Sequence, residues 1–188
     1  METYEFWTII ETARAATDKP FDEALTDVLA ELPLERILDY DERFSAIHAS
    51  LYRWDVWAAS FLISGWSCDD GFTDFRTGLI SLGQEWFERV AAAPDSLADH
   101  PLADSSDTLD DLEEALLQED ANYAAPRAYD RVTGIKDSYH DAQDARAASQ
   151  PKREDAEPDM GEKWDFENAG EMRRRLPRLA ALCESLPS

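Results

Sequence analysis

The stretch Trp54-Asp55-Val56-Trp57-Ala58-Ala59-Ser60-Phe61-Leu62-Ile63-Ser64-Gly65-Trp66-Ser67-Cys68-Asp69-Asp70-Gly71-Phe72 sets an apolar, aromatic helical segment against a polar loop bracketed by glycines. Serine, aspartate and glycine dominate residues 64–71, and these favour caps and turns over helix interiors. A helical period returns at Phe72, with Phe75, Leu79, Leu82, Trp86 and Val90 on one stripe that Pro94 ends. Gly78 and Gly83 fall inside that stripe, at roughly 1 kcal/mol each against alanine. Glycines so placed suit a close helix crossing.

The same period extends outward in both directions. Phe6, Ile9, Ile10, Ala13 and Ala16 follow Thr3, which is expected to cap the first helix. Phe21, Leu25, Val28, Leu29 and Leu32 form a second stripe after Pro20. Leu34, Ile37, Leu38, Phe44, Ile47 and Leu51 predict a third helix, which breaks near Tyr52 because an unbroken run to Ile63 would be unusually long. Beyond Pro94, residues 95–107 read as a connecting loop with a short turn at Ser96-Leu97. Ser106 or Thr108 is expected to cap a helix carrying Leu109, Leu112, Leu116 and Leu117, continuing to Pro126. A short helix over 127–132 should stop at Gly134, and Leu176, Leu179, Leu182 and Leu186 predict a small terminal element. No stretch alternates with the period of a β-strand.

These patterns predict an all-α fold: a compact single-domain multi-helix bundle with a polar, partly disordered linker. The expected organisation is a helical core domain over 1–136, an acidic, polar linker over 137–163 and a docking element over 164–188 that returns to the core on Trp164 and Phe166. A chain of 188 residues buries enough surface to need no disulfide or metal.

Charge narrows the partners. The chain holds 41 acidic residues against 18 basic ones, a formal net charge of −23. Such a surface repels phosphate backbones, so direct nucleic-acid binding is disfavoured. The one dense basic group is Arg173, Arg174, Arg175 and Arg178. Two cysteines, Cys68 and Cys183, form no C-x-x-C pair, which fits a reducing cytoplasm. The N-terminus lacks the basic and apolar regions of a signal peptide, and residues 56–63 are too short an apolar run to span a bilayer.

The central stretch also resembles a known family. Trp54-Asp55-Val56-Trp57-Ala58-Ala59, Asp69-Asp70-Gly71-Phe72, Phe75-Arg76, Leu79-Ile80 and Gly83 are similar to the pattern of the bacterial domain-of-unknown-function family 4240. That pattern reads W-D-L-W-A-A-A-Y-L-I, then G-G-C-S-D-D-G-F and F-R-x-W-L-I. Phe6-Trp7, Pro94-Asp95-Ser96-Leu97-Ala98, Ala128-Tyr129, Thr133-Gly134 and Leu176-Pro177-Arg178-Leu179 extend the likeness over nearly the whole chain. Three positions depart from it: Trp66 replaces a glycine, Ser67-Cys68 reverses the Cys-Ser order, and Gly78 stands in place of a tryptophan. The resemblance implies a fold and a focus, with no chemistry attached.

Trp66, Cys68, Asp69, Asp70, Asp74 and Arg76 form the candidate functional loop. Asp70 and Asp74, one helical turn apart, are weak candidates for a Mg²⁺ or Ca²⁺ site or an acid/base pair tuned by Arg76. The simpler reading, and the one preferred, is that Asp69 or Asp70 caps a helix while the other aspartate pairs with Arg76 or Arg53 to lock the loop. Cys68 is either a thiol beside a helix start or a small filler, and His48 reads as structural. No nucleotide, hydrolase or metalloprotease motif occurs, which weighs against an enzyme, and no cofactor is implied. The expectation is a cytoplasmic acidic interaction or regulatory module with a basic protein partner. A small-ligand or metal-binding enzyme at Asp69, Asp70, Asp74 and Arg76, and a nucleic-acid mimic or toxin antagonist, are the rivals.

Overall fold

A computed structural model describes residues 1–65, 68–149 and 159–187. The described residues form twelve α-helices and two 3-10 helices and no strand, so the fold is all-α. Contacts group the chain into two units, residues 1–47 with 120–158 and residues 48–119 with 159–188.

The first unit is built on α1 (Thr3–Arg14), α2 (Phe21–Ala30), most of α3 (Leu34–Ser50), α9 (Ala124–Thr133) and α10 (Ser138–Ser149). Helix α2 packs on α1 and on α9, and α9 packs on α10. Phe6, Ile10, Ala13, Leu25, Leu29 and Ile37 are buried, as the apolar stripes required, and so is Tyr40, which those stripes did not include. Each large side chain so buried contributes about 1.5–3 kcal/mol. Helix α1 is capped by Glu2 rather than Thr3: Glu2 and Glu5 exchange side-chain and backbone bonds in a capping box.

Part of 137–163 forms a helix. The Asp130 carboxylate accepts the backbone N–H of Asp137 at 2.7 Å and of Tyr139 at 3.0 Å, and the Ser138 hydroxyl at 3.0 Å. Those bonds close the turn after Gly134 and start α10, which buries only Tyr139. One buried residue leaves no apolar period to read. Residues 150–158 of that stretch lie outside the described residues.

The second unit contains α4 (Trp54–Ser64), α5 (Asp69–Ser81), α6 (Gln84–Ala92), α7 (Pro101–Ser105), α8 (Leu109–Leu116), α11 (Ala169–Arg175) and α12 (Pro177–Ser185). A break between α3 and α4 falls where Tyr52 predicted it. The single stripe expected from Phe72 to Val90 is two helices, because Gly83 adopts φ 89° and begins α6. Residues 95–107 hold more structure than a loop: a 3-10 helix over Pro94–Asp99 buries Ser96 and Leu97, and α7 follows it. Thr108 caps α8 through a capping box with Asp111. The pattern expected to continue to Pro126 instead stops at Leu116, and a 3-10 helix over Glu119–Tyr123 precedes α9. At the C-terminal end, α12 packs on α4 and on Pro94–Asp99, with Leu176 and Leu179 buried. The Trp54 N–H donates to the Met160 carbonyl at 3.0 Å, and that of Leu109 to the Pro187 carbonyl at 2.9 Å.

Gly78 is the tightest point in this unit. A Cβ there would lie 1.8 Å from the Leu116 carbonyl oxygen, so α5 and α8 meet backbone to backbone. Gly78→Ala is expected to lower stability by about 2 kcal/mol or more, since the clash outweighs the gain in helix propensity. Gly71→Ala, whose added Cβ meets only the Cys68 Sγ at 3.8 Å, should be neutral or stabilising. Urea denaturation of the two variants checks the contrast.

Candidate functional site

The candidate loop enters α5 at Cys68. Its Sγ accepts the Gly71 N–H at 3.4 Å and so caps the helix, a role expected of Asp69 or Asp70. Those aspartates occupy the first turn instead, where carboxylates favour the positive end of the helix dipole. Both are exposed, as is the Cys68 thiol, and Asp70 has no side-chain partner among the described residues. Asp74, one turn on, is half-buried, and its carbonyl accepts the Gln118 N–H at 3.3 Å. Among the described residues, no group of three or more His, Cys, Asp and Glu side chains is placed to hold a metal ion. Trp66 lies outside the described residues.

Arg76 turns away from the aspartates. It is 7% exposed, and its guanidinium donates to the Phe72 carbonyl at 3.3 Å, the His48 carbonyl at 3.3 Å and the Thr73 hydroxyl at 3.1 Å. The same group lies 4.9 Å from the Tyr52 ring centre and 4.7 Å from that of Phe72. None of these partners is a carboxylate, and Arg53 pairs with Asp55 rather than with the loop. Burial accordingly pulls Arg76 below the usual guanidinium range.

His48 sits beside this clamp, with Nε2 3.0 Å from the Thr73 carbonyl. A carbonyl only accepts, so Nε2 carries the proton of a neutral imidazole. Burial, opposed by that hydrogen bond and aided by the Arg76 charge, pushes His48 down to about 4.

Aromatic rings continue outward from Arg76. Phe72 stacks on Trp57 at 4.5 Å, and Trp57 on Trp54 at 5.4 Å. Phe166 meets Trp54, Phe61 and Trp164, so both aromatic anchors expected of the C-terminal stretch contact rings. Lys163 lies over Trp54, and Arg175 over Trp164. Here the motif tryptophans serve packing and cation–π contact.

One feature escaped periodicity because it is defined by what is missing. No lysine or arginine occurs between Arg89 and Arg127. Asp104, Asp107, Asp110, Asp111, Glu114 and Glu119 are exposed in that interval, and Glu113 is half-exposed. None of the seven forms an ion pair among the described residues, and only Asp111 is engaged, in the α8 cap. The basic group at the C-terminus is the opposite case. Arg173 pairs with Glu184, Arg174 with Glu171, Arg175 with Glu162 and Glu171, and Arg178 with Asp95 and Asp99.

Against known proteins, the model of the family described as "Protein of unknown function (DUF4240)" matches residues 1–131. The chain belongs to that family. No curated protein and no solved structure matches it.

Two outcomes follow from the clamp. Arg76→Lys keeps the charge but not the planar fork, and is expected to cost about 1–3 kcal/mol in urea denaturation. Asp70→Asn should cost less than about 1 kcal/mol, the dipole contribution alone. His48 takes up its proton near the ordinary value of 6.5 in the unfolded chain but only near 4 in the folded one. Stability is therefore full above 6.5 and falls as the pH drops towards 4, by on the order of 3 kcal/mol. Denaturation midpoints measured across that window should flatten in His48→Gln, which has no proton to gain.

Proposed function

We propose that this member of the family is a cytoplasmic, non-catalytic interaction module whose acidic face in the second unit receives a basic protein partner. The observation that carries this reading is the run from Asp104 to Glu119: seven carboxylates, no basic neighbour in sequence and no ion pair among the described residues. Helix α8 buries Leu112 and Leu116 while Asp110, Asp111 and Glu114 are exposed, so its charged face is offered to solvent. Like charges this close repel one another within a Debye length of about 10 Å, and a cationic partner relieves that repulsion. Such complementarity acts chiefly on the rate and specificity of association.

The rest of the chain supports a protein partner over nucleic acid. The only dense arginine group is neutralised by its own carboxylates, leaving no free basic face there for phosphates. The candidate loop also favours binding over catalysis, since Arg76 and His48 are engaged by backbone oxygens and the Thr73 hydroxyl and tie the residues around His48 to α5. Free thiols at Cys68 and Cys183 suit a reducing compartment. Among the described residues, no helix is long and apolar enough to cross a membrane.

The test compares two sets of four neutralised carboxylates as bait in a low-salt lysate of the source cells. One set is Asp104→Asn, Asp107→Asn, Asp110→Asn and Glu114→Gln; the other is Glu23→Gln, Glu31→Gln, Asp141→Asn and Asp144→Asn. A partner captured by the native chain is expected to be lost at least tenfold with the first set and kept within about twofold with the second, and to be released by salt. Equal loss with both sets, or no partner at low salt, overturns the reading.

A further inference from the structure

Helices α3 and α10 of the first unit enclose a cleft of about 390 Å³, within the roughly 300–1,000 Å³ of small-molecule pockets. Asp41 stands in it. Its Oδ2 accepts the Gln143 side-chain amide at 3.2 Å, and the Tyr139 hydroxyl also hydrogen-bonds its carboxyl group. Gln143 donates to the Tyr139 oxygen at 3.1 Å, so two neutral groups hold the carboxylate in place. Tyr139 is itself 3% exposed, which fixes this arrangement from below.

Asp41 has no cation among the described residues. The nearby candidate, Arg146, is shared by Asp39, Glu42 and Glu35. Burial, with Glu42 next along the chain, makes the Asp41 charge costly and raises its affinity for a proton. The cleft therefore combines an uncompensated, half-buried carboxylate with hydrocarbon from Leu38, Ala46 and Ala147. Anions are repelled by Asp41 and Glu42, since the single arginine is already neutralised. Neutral molecules gain the apolar contact but leave the charge unanswered.

We propose that this cleft is a binding site for a small organic amine, whose protonated nitrogen meets Asp41 and whose hydrocarbon part lies along Leu38, Ala46 and Ala147. The ammonium group supplies the missing counter-charge where solvent is already partly excluded, so the interaction is stronger than at the many exposed carboxylates of this chain. The site is independent of the acidic run proposed to meet a protein partner, which belongs to the other unit.

Isothermal titration with benzylammonium, butylammonium and tetramethylammonium chloride tests the assignment, with benzyl alcohol and sodium benzoate as the neutral and anionic counterparts. Benzylammonium or butylammonium is expected to bind saturably at one site per chain, more tightly than tetramethylammonium, which has no N–H to donate, and neither counterpart to match it. Asp41→Asn should weaken that binding at least tenfold. Ala46→Phe fills the cleft from an exposed position, leaves the charge intact and should also abolish binding, so the test survives if Asp41→Asn fails to fold. Asp69→Asn, an exposed carboxylate in the other unit, should leave binding unchanged. No saturable binding by benzylammonium or butylammonium overturns the proposal, and so does binding that persists in both Asp41→Asn and Ala46→Phe.

Discussion

The guanidinium of Arg76 is buried in a strongly acidic protein and yet, among the described residues, touches no carboxylate. Burying a charge costs several kcal/mol unless hydrogen bonds and polarisable groups replace the lost water. Here the replacement is complete in kind: three oxygens take the N–H donors and two rings present their faces to the cation. One acceptor is the His48 carbonyl in the last turn of α3, where a cation also answers the negative end of the helix dipole. A carboxylate in the same place would draw the fork away from that helix end. The clamp thus ties the His48 carbonyl and the Tyr52 ring to α5. Phe72, held against Arg76, then sets the stack that runs through Trp57 to Trp54.

A second constraint acts further along α5. The backbone contact of Gly78 with Leu116 leaves no room for a side chain and brings α8 against α5. Because Leu112 and Leu116 are buried, the carboxylates of α8 have only the outer face to occupy. A packing requirement therefore decides which side of the helix carries charge.

The helices were legible because their apolar residues recur with the period that packing demands; the break near Tyr52 was legible from helix length, and the stops at Ser64 and Gly134 from the glycines that cap them in the left-handed region. Three things were not legible. Helix α10 buries one residue and is held by the Asp130 carboxylate, a contact between side chain and backbone that leaves no trace in periodicity. The split at Gly83 depends on one φ angle, and an apolar stripe crosses it unchanged. Cys68 caps α5 although two better capping residues follow it, because the helix begins at Asp69 and places those two inside the first turn. At the candidate site, the grouping of Asp70, Asp74 and Arg76 by spacing overlooked the partners that distant segments supply. His48 and Tyr52 compete for Arg76 from outside the loop, and a spacing rule on α5 alone has no means of seeing them.

The net charge is also less uniform than a total of −23 suggests. Residues 159–188 hold six acidic and five basic residues, and the arginines there are consumed by carboxylates on their own and neighbouring elements. Residues 48–119 hold fifteen acidic and three basic ones, and of the three, Arg76 is buried while Arg53 and Arg89 are paired. The excess is therefore concentrated where nothing in the same stretch can neutralise it. Simple solubility asks only for a net charge away from zero, and a dispersed excess would meet that need with less self-repulsion. Beyond Asp110 and Asp111, which serve the first turn of α8, the carboxylates concentrated on one side of this short helix have no partner in the fold among the described residues. In the proposed reading, the electrostatic cost of that surface falls when a cationic partner covers it.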